Sequence, residues 1–221
     1  LELVPRQRTE VAPGAVLVPD WLRLDQQRRI ADACAAWAEP PAGRHVVRTP
    51  GGGQMSVEMA CLGWHWLPYR YTRVAEDVDG APVKPLPGWL AELAQRAVAE
   101  VGGVAVAGST GGGYVPDVAL VNYYGPGARM GMHQDRDEVV NQPVVSLSVG
   151  ETCTFRFGNT QNRSRPWHDV EVRSGDLFVF GGPSRFAYHG VPKVVVGSAP
   201  PGCGVREGRL NITVRMTGLP G

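Results

Sequence analysis

Arg209-Leu210-Asn211-Ile212-Thr213-Val214-Arg215 alternates polar and apolar residues without a break. Period two predicts a β-strand whose apolar face can join a core, while the other face carries two arginines and an asparagine. A solvated polar face would make this an ordinary outer strand. An inward one would bury two cations, at a cost of several kcal/mol unless anions meet them. Both readings stand from this stretch alone.

Working outward, residues 117–123, 144–149, 154–157, 169–172, 177–180 and 209–216 are β-rich and mostly alternating. Turn signals separate them: Gly125-Pro126-Gly127, Gly158-Asn159, Ser174-Gly175-Asp176 and Gly181-Gly182-Pro183. Many short strands at this spacing predict a sandwich or jelly roll. Ahead of them, residues 25–38 place Ile30, Cys34 and Trp37 at helical spacing. Residues 89–101 carry the fuller stripe Leu90, Leu93, Ala94, Ala97, Val98 and Val101. Pro87 precedes that second helix and Gly102-Gly103 follow it, as start and stop signals. Both helices are expected on the outside of the sheet, and residues 104–113 and 196–208 are expected as loops. Residues 44–74 are neither helix nor regular strand. Thr49-Pro50-Gly51-Gly52-Gly53, Met55 to Met59, and then Trp64, Trp66, Tyr69 and Tyr71 suit either a substrate lid or a hairpin whose aromatics complete the core.

The chain has 221 residues, 43% of them hydrophobic, enough for one substantial core in a single domain. Its 29 glycines and 19 prolines favour short elements joined by turns over a helical bundle. No apolar run approaches the roughly 18 residues of a membrane span, and no signal peptide is recognisable. The four cysteines, Cys34, Cys61, Cys153 and Cys203, form no C-x-x-C pair, so neither a zinc knuckle nor a redox pair is indicated. Free thiols in a reducing cytoplasm, in a monomer, are the expectation. A formal charge of +1 gives no global pull on nucleic acid, so any such binding must use a local patch. Lysine occurs only at Lys84 and Lys193, which reads more simply as compositional bias toward arginine than as phosphate recognition.

Against this frame stand His133-Gln134-Asp135, the later His189, and Asn122 and Tyr124 upstream. Two imidazoles and one carboxylate can take one triangular face of an iron(II) ion and leave the other positions open. On a strand, His133 and Asp135 would share a face, and Tyr188 and Gly190 suit a strand end at His189. An H-x-D alone is common. A strand presenting Arg209 beside it adds a group suited to the far carboxylate of a dicarboxylate.

Taken together, these pieces resemble the AlkB family of iron(II)- and 2-oxoglutarate-dependent nucleic-acid dealkylases, in its bacterial repair branch. The similarity runs from about residue 49 to 216. It is carried by Asn122-Tyr-Tyr124-Gly-Pro-Gly-Ala128, His133-Gln-Asp135-Arg-Asp137-Glu138, Val145-Ser-Leu-Ser-Val-Gly150, Gly175-Asp-Leu, Gly181-Gly, Tyr188-His189-Gly190 and the strand from Arg209, with Thr49-Pro-Gly-Gly and Met55-Ser-Val ahead.

The resemblance implies a mainly β fold with flanking helices: a double-stranded β-helix, or jelly roll, over about residues 117–216. It also implies a nucleotide-recognition lid over about residues 44–74, in one dioxygenase domain spanning 1–221. It makes His133, Asp135 and His189 the iron ligands. Arg209 and Tyr124 would hold the distal carboxylate of 2-oxoglutarate, Asn122 and Asn211 would approach its metal-bound end, and Arg215 would steady the site. Asp137 would accept from an exocyclic amino group. Trp64 and His189 would sandwich a flipped base, Tyr69 and Tyr71 would contact phosphate or sugar, and Thr49 and Met59 would be lid contacts. Arg163 or Asn162 would supply the polar substrate contact after Phe157-Gly158. The tract between Trp64 and Tyr69 is shorter than the family pattern, and Phe180 stands where a second tryptophan is frequent.

The implied reaction consumes O2 and 2-oxoglutarate. It removes methyl groups from 1-methyladenine or 3-methylcytosine in DNA or RNA, giving succinate, CO2 and formaldehyde. Single strands are the expected substrate, with duplexes at an extra cost for extruding the base. A second reading keeps the iron and 2-oxoglutarate but hydroxylates a small molecule or a protein side chain. A third makes the chain a metal-free jelly-roll binding module.

Overall fold

The computed structural model describes residues 5–103 and 113–220, so most of the loop expected at 104–113 lies outside the described residues. The strands are β1 (Thr9–Ala12), β2 (Ala15–Val18), β3 (His45–Arg48), β4 (Gln54–Leu62), β5 (His65–Leu67), β6 (Arg70–Thr72), β7 (Val118–Tyr124), β8 (Met130–His133), β9 (Val144–Gly150), β10 (Cys153–Phe157), β11 (His168–Val172), β12 (Leu177–Phe180), β13 (His189–Val194) and β14 (Arg209–Arg215). The helices are α1 (Leu24–Ala38) and α2 (Gly88–Val101). An eight-stranded antiparallel sheet runs β1-β2-β12-β9-β14-β7-β4-β3, a four-stranded one runs β11-β10-β13-β8, and β5 pairs only with β6.

The alternation of β14 sorts its residues between two cores. Ile212 and Val214 join Val121, Leu147 and Val179 on the face covered by α1 and α2, whose Ile30, Cys34, Leu90, Leu93 and Ala97 pack there. A second core lies between the two large sheets, where Tyr124 of β7 and Phe178 of β12 meet Phe157 of β10 and Val191 of β13. Arg209, Asn211, Thr213 and Arg215 have the opposite parity to Ile212 and Val214, and they line a cavity in that inter-sheet space. Arg209 and Arg215 are only 3% and 6% exposed, so the polar face is interior and needs anionic partners.

The helix limits follow local chemistry. At α1, Gln26 accepts from the backbone N–H of Arg23 and relieves one donor that the first turn leaves unpaired. Pro87 precedes α2, and Gly102, at φ 63°, closes it in the left-handed region. The four cysteines are free and buried. No helix among the described residues is long and apolar enough to cross a membrane.

Residues 44–74, expected to be neither helix nor regular strand, instead contain four strands, because β4 finds a ladder partner in β7. β3 and β4 extend the large sheet at its edge, whereas β5 and β6 form a separate hairpin. Pro68 and Tyr69 make the hairpin turn, and Tyr69 sits at φ 73°, a conformation that an aromatic residue adopts with strain.

Candidate active site

A cavity of about 770 Å³ opens between the sheets, large enough for a drug-sized ligand. At its centre, β13 and β8 place His189 directly opposite His133 in the ladder, with ring centroids 4.4 Å apart. Gly190 allows that approach, because a Cβ there would stand 2.7 Å from the Met130 carbonyl oxygen. His133 Nδ1 lies 2.9 Å from the Gly131 carbonyl, and His189 Nδ1 lies 2.9 Å from that of Ala187. Donation from each Nδ1–H fixes the tautomer and leaves both Nε2 atoms as acceptors. Asp135 Oδ1 is 3.6 Å from His133 Nε2, and Oδ2 is 3.5 Å from His189 Nε2.

The expectation that strand parity aligns His133 with Asp135 needs correction. β8 ends at His133, so Asp135 lies past the strand. Two arginines orient it instead. Arg215 Nη2 reaches Asp135 Oδ1 at 2.8 Å, and Arg185, 1% exposed, donates to the Asp135 backbone carbonyl. Glu138 lies between these arginines, 2.7 Å from Arg185 Nη2 and 3.1 Å from Arg215 Nη1. Burial opposes the Asp135 charge, but Arg215 holds the carboxyl well below the ordinary range. Desolvation pushes the His133 imidazole down to about 4, with His189 adding to the shift.

The donor set fits a metal ion: the ligand atoms of His133, Asp135 and His189 lie within 4.8 Å of one another. Among the described residues Asp135 Oδ2 is buried without a hydrogen-bond partner, although an unpaired buried carboxylate oxygen is costly. The neighbouring wall fits an anion. Arg209 donates to Ser148 Oγ at 2.7 Å, yet its Nε has no partner. Among the described residues no carboxylate pairs with it. Tyr124 lies opposite Arg209 in the ladder, and Asn122 lies opposite Asn211. Asn122 Oδ1 is also unpartnered, while Asn211 donates to Ser146 Oγ at 2.7 Å.

Of the residues read as substrate contacts, Thr49, Met59, Tyr69, Asp137 and Arg163 line the cavity, and two others do not. Trp64 is 8% exposed and packs in a separate core. It donates to Asp117 at 3.2 Å, and the Arg73 guanidinium lies 3.4 Å from its ring centroid. Gly63 and Trp64 form a bend between β4 and β5, which turns this indole away. Trp66 lines the cavity instead, donating to Asp137 Oδ2 at 2.8 Å. Tyr71 is not at a phosphate-facing position: its hydroxyl donates to Glu138 at 2.5 Å within the charged cluster. Of the pair left open, Arg163 lines the cavity, whereas Asn162 accepts from the Ser164 backbone in its own loop. Trp66, Glu138 and Arg185 had been given no role from the sequence. Neither the bend that parts Trp66 from Trp64 nor the buried charges is marked by any period in the sequence.

The chain is similar to known proteins over most of its length. The family model of the 2OG-Fe(II) oxygenase superfamily matches residues 14–215. An alpha-ketoglutarate-dependent dioxygenase AlkB homolog of Caulobacter vibrioides is 36% identical, covering 97% of this chain and 92% of that protein. AlkB of Escherichia coli is 32% identical, covering 94% and 92%. The DNA N(6)-methyladenine demethylase ALKBH1C of Arabidopsis thaliana is 31% identical over 94% of this chain, but the match spans only 49% of that relative's length. The solved structure of OsALKBH1 superposes with a TM-score of 0.83 at 30% identity, covering 95% of this chain and 100% of that one.

Proposed function

The chain belongs to the AlkB family of the 2OG-Fe(II) oxygenase superfamily, and from that premise we propose that it removes small alkyl groups from nucleobase nitrogens in DNA or RNA. One observation carries the proposal. A single cavity joins the His133–Asp135–His189 cluster, a buried Arg209 that meets no carboxylate among the described residues, and a wall where Trp66 is hydrogen-bonded to Asp137.

His133, Asp135 and His189 would hold iron(II) through two imidazole nitrogens and a carboxylate oxygen. Arg209, with Tyr124, would take the distal carboxylate of 2-oxoglutarate as a charge-assisted pair. Asn122 and Asn211 would border its other end. When bound, iron(II) with 2-oxoglutarate and O2 supplies the oxidant that hydroxylates the alkyl carbon, with succinate, CO2 and formaldehyde as the products besides the restored base.

The remaining residues position the base. The Trp66 face gives an extruded base a stacking surface worth about 1–3 kcal/mol. Asp137 accepts from Trp66 in the free protein, and its carboxylate can also accept from an exocyclic amino group. That selects adenine or cytosine over bases that present a carbonyl there. Arg163 at the rim and Tyr69 at the hairpin tip meet the strand. Residues 44–74 thus act as the lid of a single domain whose catalytic core is 117–216. A base that cannot pair costs less to extrude, and a single strand avoids most of that cost, so single-stranded substrate is preferred.

The experiment is turnover on single-stranded oligonucleotides carrying one 1-methyladenine or one N6-methyladenine, with a duplex control and a chelator control, read by mass spectrometry. Iron- and 2-oxoglutarate-dependent loss of the methyl from 1-methyladenine is expected. Loss from N6-methyladenine alone would move the substrate toward that of the plant relatives. Succinate formation with both oligonucleotides untouched would favour hydroxylation of a small molecule or protein side chain.

A further inference from the structure

His45, His65 and Asp77 form a second group with metal-ligand chemistry, separate from the cavity. One ring nitrogen of each histidine and one oxygen of Asp77 lie within 4.8 Å of one another. His45 begins β3, the edge strand of the large sheet. His65 begins β5, and Asp77 lies in the turn that follows β6. The two rings are 5.1 Å apart, and His65 Nε2 is 2.6 Å from Asp77 Oδ1.

Two features go beyond what an ordinary ion pair requires. His45 Nδ1 lies 3.0 Å from the Gly43 carbonyl, and donation there directs the Nε2 lone pair toward the cluster. That Nε2 is buried with no hydrogen-bond partner among the described residues. A buried acceptor left unpaired beside a second imidazole and a carboxylate is costly, and a cation would satisfy it. His65 is 1% exposed, whereas Asp77 is exposed, so the fourth position of a tetrahedral site could be filled by water.

We propose that His45, His65 and Asp77 bind a divalent cation of borderline softness, zinc(II) by preference, and that the ion clamps the β5–β6 hairpin to edge strand β3. Two imidazoles and one carboxylate suit zinc better than calcium or magnesium, which favour all-oxygen sites. If His65 ligates through Nε2, the neutral ring changes tautomer: the proton that Nε2 held against Asp77 is given up there and one is taken up at Nδ1, with no net loss from the ring. The clamp lies at the base of the hairpin that carries Trp66 and Tyr69. It holds the lid in place and takes no part in the oxidation.

The test is zinc stoichiometry and affinity, measured against a chromogenic chelator. The full chain is compared with His133→Ala/His189→Ala, in which the first cluster is disabled, and with His45→Gln and Asp77→Asn. Unmodified protein is expected to take up two zinc ions and each of the two conservative variants one, with affinity at the second position weakened by more than about tenfold. The His133→Ala/His189→Ala chain should keep one, and zinc should raise its Tm and protect the hairpin from proteolysis. A stoichiometry of one in unmodified protein would overturn the site. Two ions retained at unchanged affinity in both His45→Gln and Asp77→Asn would overturn it equally. Because His45→Gln and Asp77→Asn are read in an otherwise intact chain, the result stands even if the double alanine variant fails to fold.

Discussion

The wall of the cavity built from β7, β9 and β14 is closed and charged, whereas the wall built from residues 49–69 is open and largely apolar. Arg209 and Arg215 are 3% and 6% exposed, while Tyr69 at the hairpin tip is 77% exposed. On the closed side, Asp135 and Glu138 hold Arg215, and the hydroxyls of Ser148 and Ser146 accept from Arg209 and Asn211. On the open side, Thr49, Met59 and Tyr69 line the cavity, and the Trp66 indole is tethered by its hydrogen bond to Asp137. The chemistry is held rigidly because its geometry tolerates little error, and recognition is left to a surface that can adapt.

The sharpest way to break the contrast is at its charged centre. Asp135→Ala and His189→Ala should each lower turnover by on the order of a thousandfold or more, measured alongside iron content. Normal turnover in either variant would remove the cluster from catalysis. Next is Arg209→Ala, which should weaken 2-oxoglutarate by about 2–4 kcal/mol, roughly 30- to 1,000-fold, with oligonucleotide binding unchanged. Unaltered cosubstrate affinity in a binding titration would separate Arg209 from that carboxylate.

On the open wall the two tryptophans should part company. Trp66→Ala should raise the oligonucleotide KM by about 5- to 150-fold, the equivalent of one lost stacking contact, with iron and 2-oxoglutarate affinity intact. Trp64→Ala should instead lower Tm, because it empties a packed core position, and leave the KM of the surviving folded protein near its original value. A reversed pattern would restore Trp64 to the cavity.

A smaller effect concerns the metal-free protein in acid. His133 titrates near 4 in the fold against 6.5 when free. Between those values the unfolded chain binds a proton that the folded chain refuses, so stability falls as pH drops through that window. Tm against pH should therefore be shallower in His133→Gln, and an unchanged slope would assign the acid sensitivity elsewhere. The smallest change is expected from Arg163→Ala: about threefold in oligonucleotide KM and a reduced salt dependence, as for one lost phosphate contact.

Legibility in the sequence followed the same division. α1, α2 and β14 were readable because long apolar stripes or strict alternation mark them. β8 and β13 were not, since Gly131, Gly190 and Pro192 interrupt any alternating pattern, and their pairing is fixed by His133 meeting His189 across the ladder. The cluster of Arg185, Glu138, Arg215 and Tyr71 was invisible as a unit. Its members come from four separated segments, and buried charge has no period. The choice between Trp64 and Trp66 depended on one bend at Gly63, where φ is 78°.

The β5–β6 hairpin shares no ladder with either large sheet. Its sequence can therefore be exchanged without breaking a rung of the frame that carries His133, His189 and Arg209. In a lineage, that lets the oxidising apparatus be inherited as a block while the segment that inspects the base drifts or is replaced. For engineering, the same separation marks residues 66–70, between His65 and Tyr71, which bonds Glu138, as the natural unit to graft when a different lesion is to be admitted.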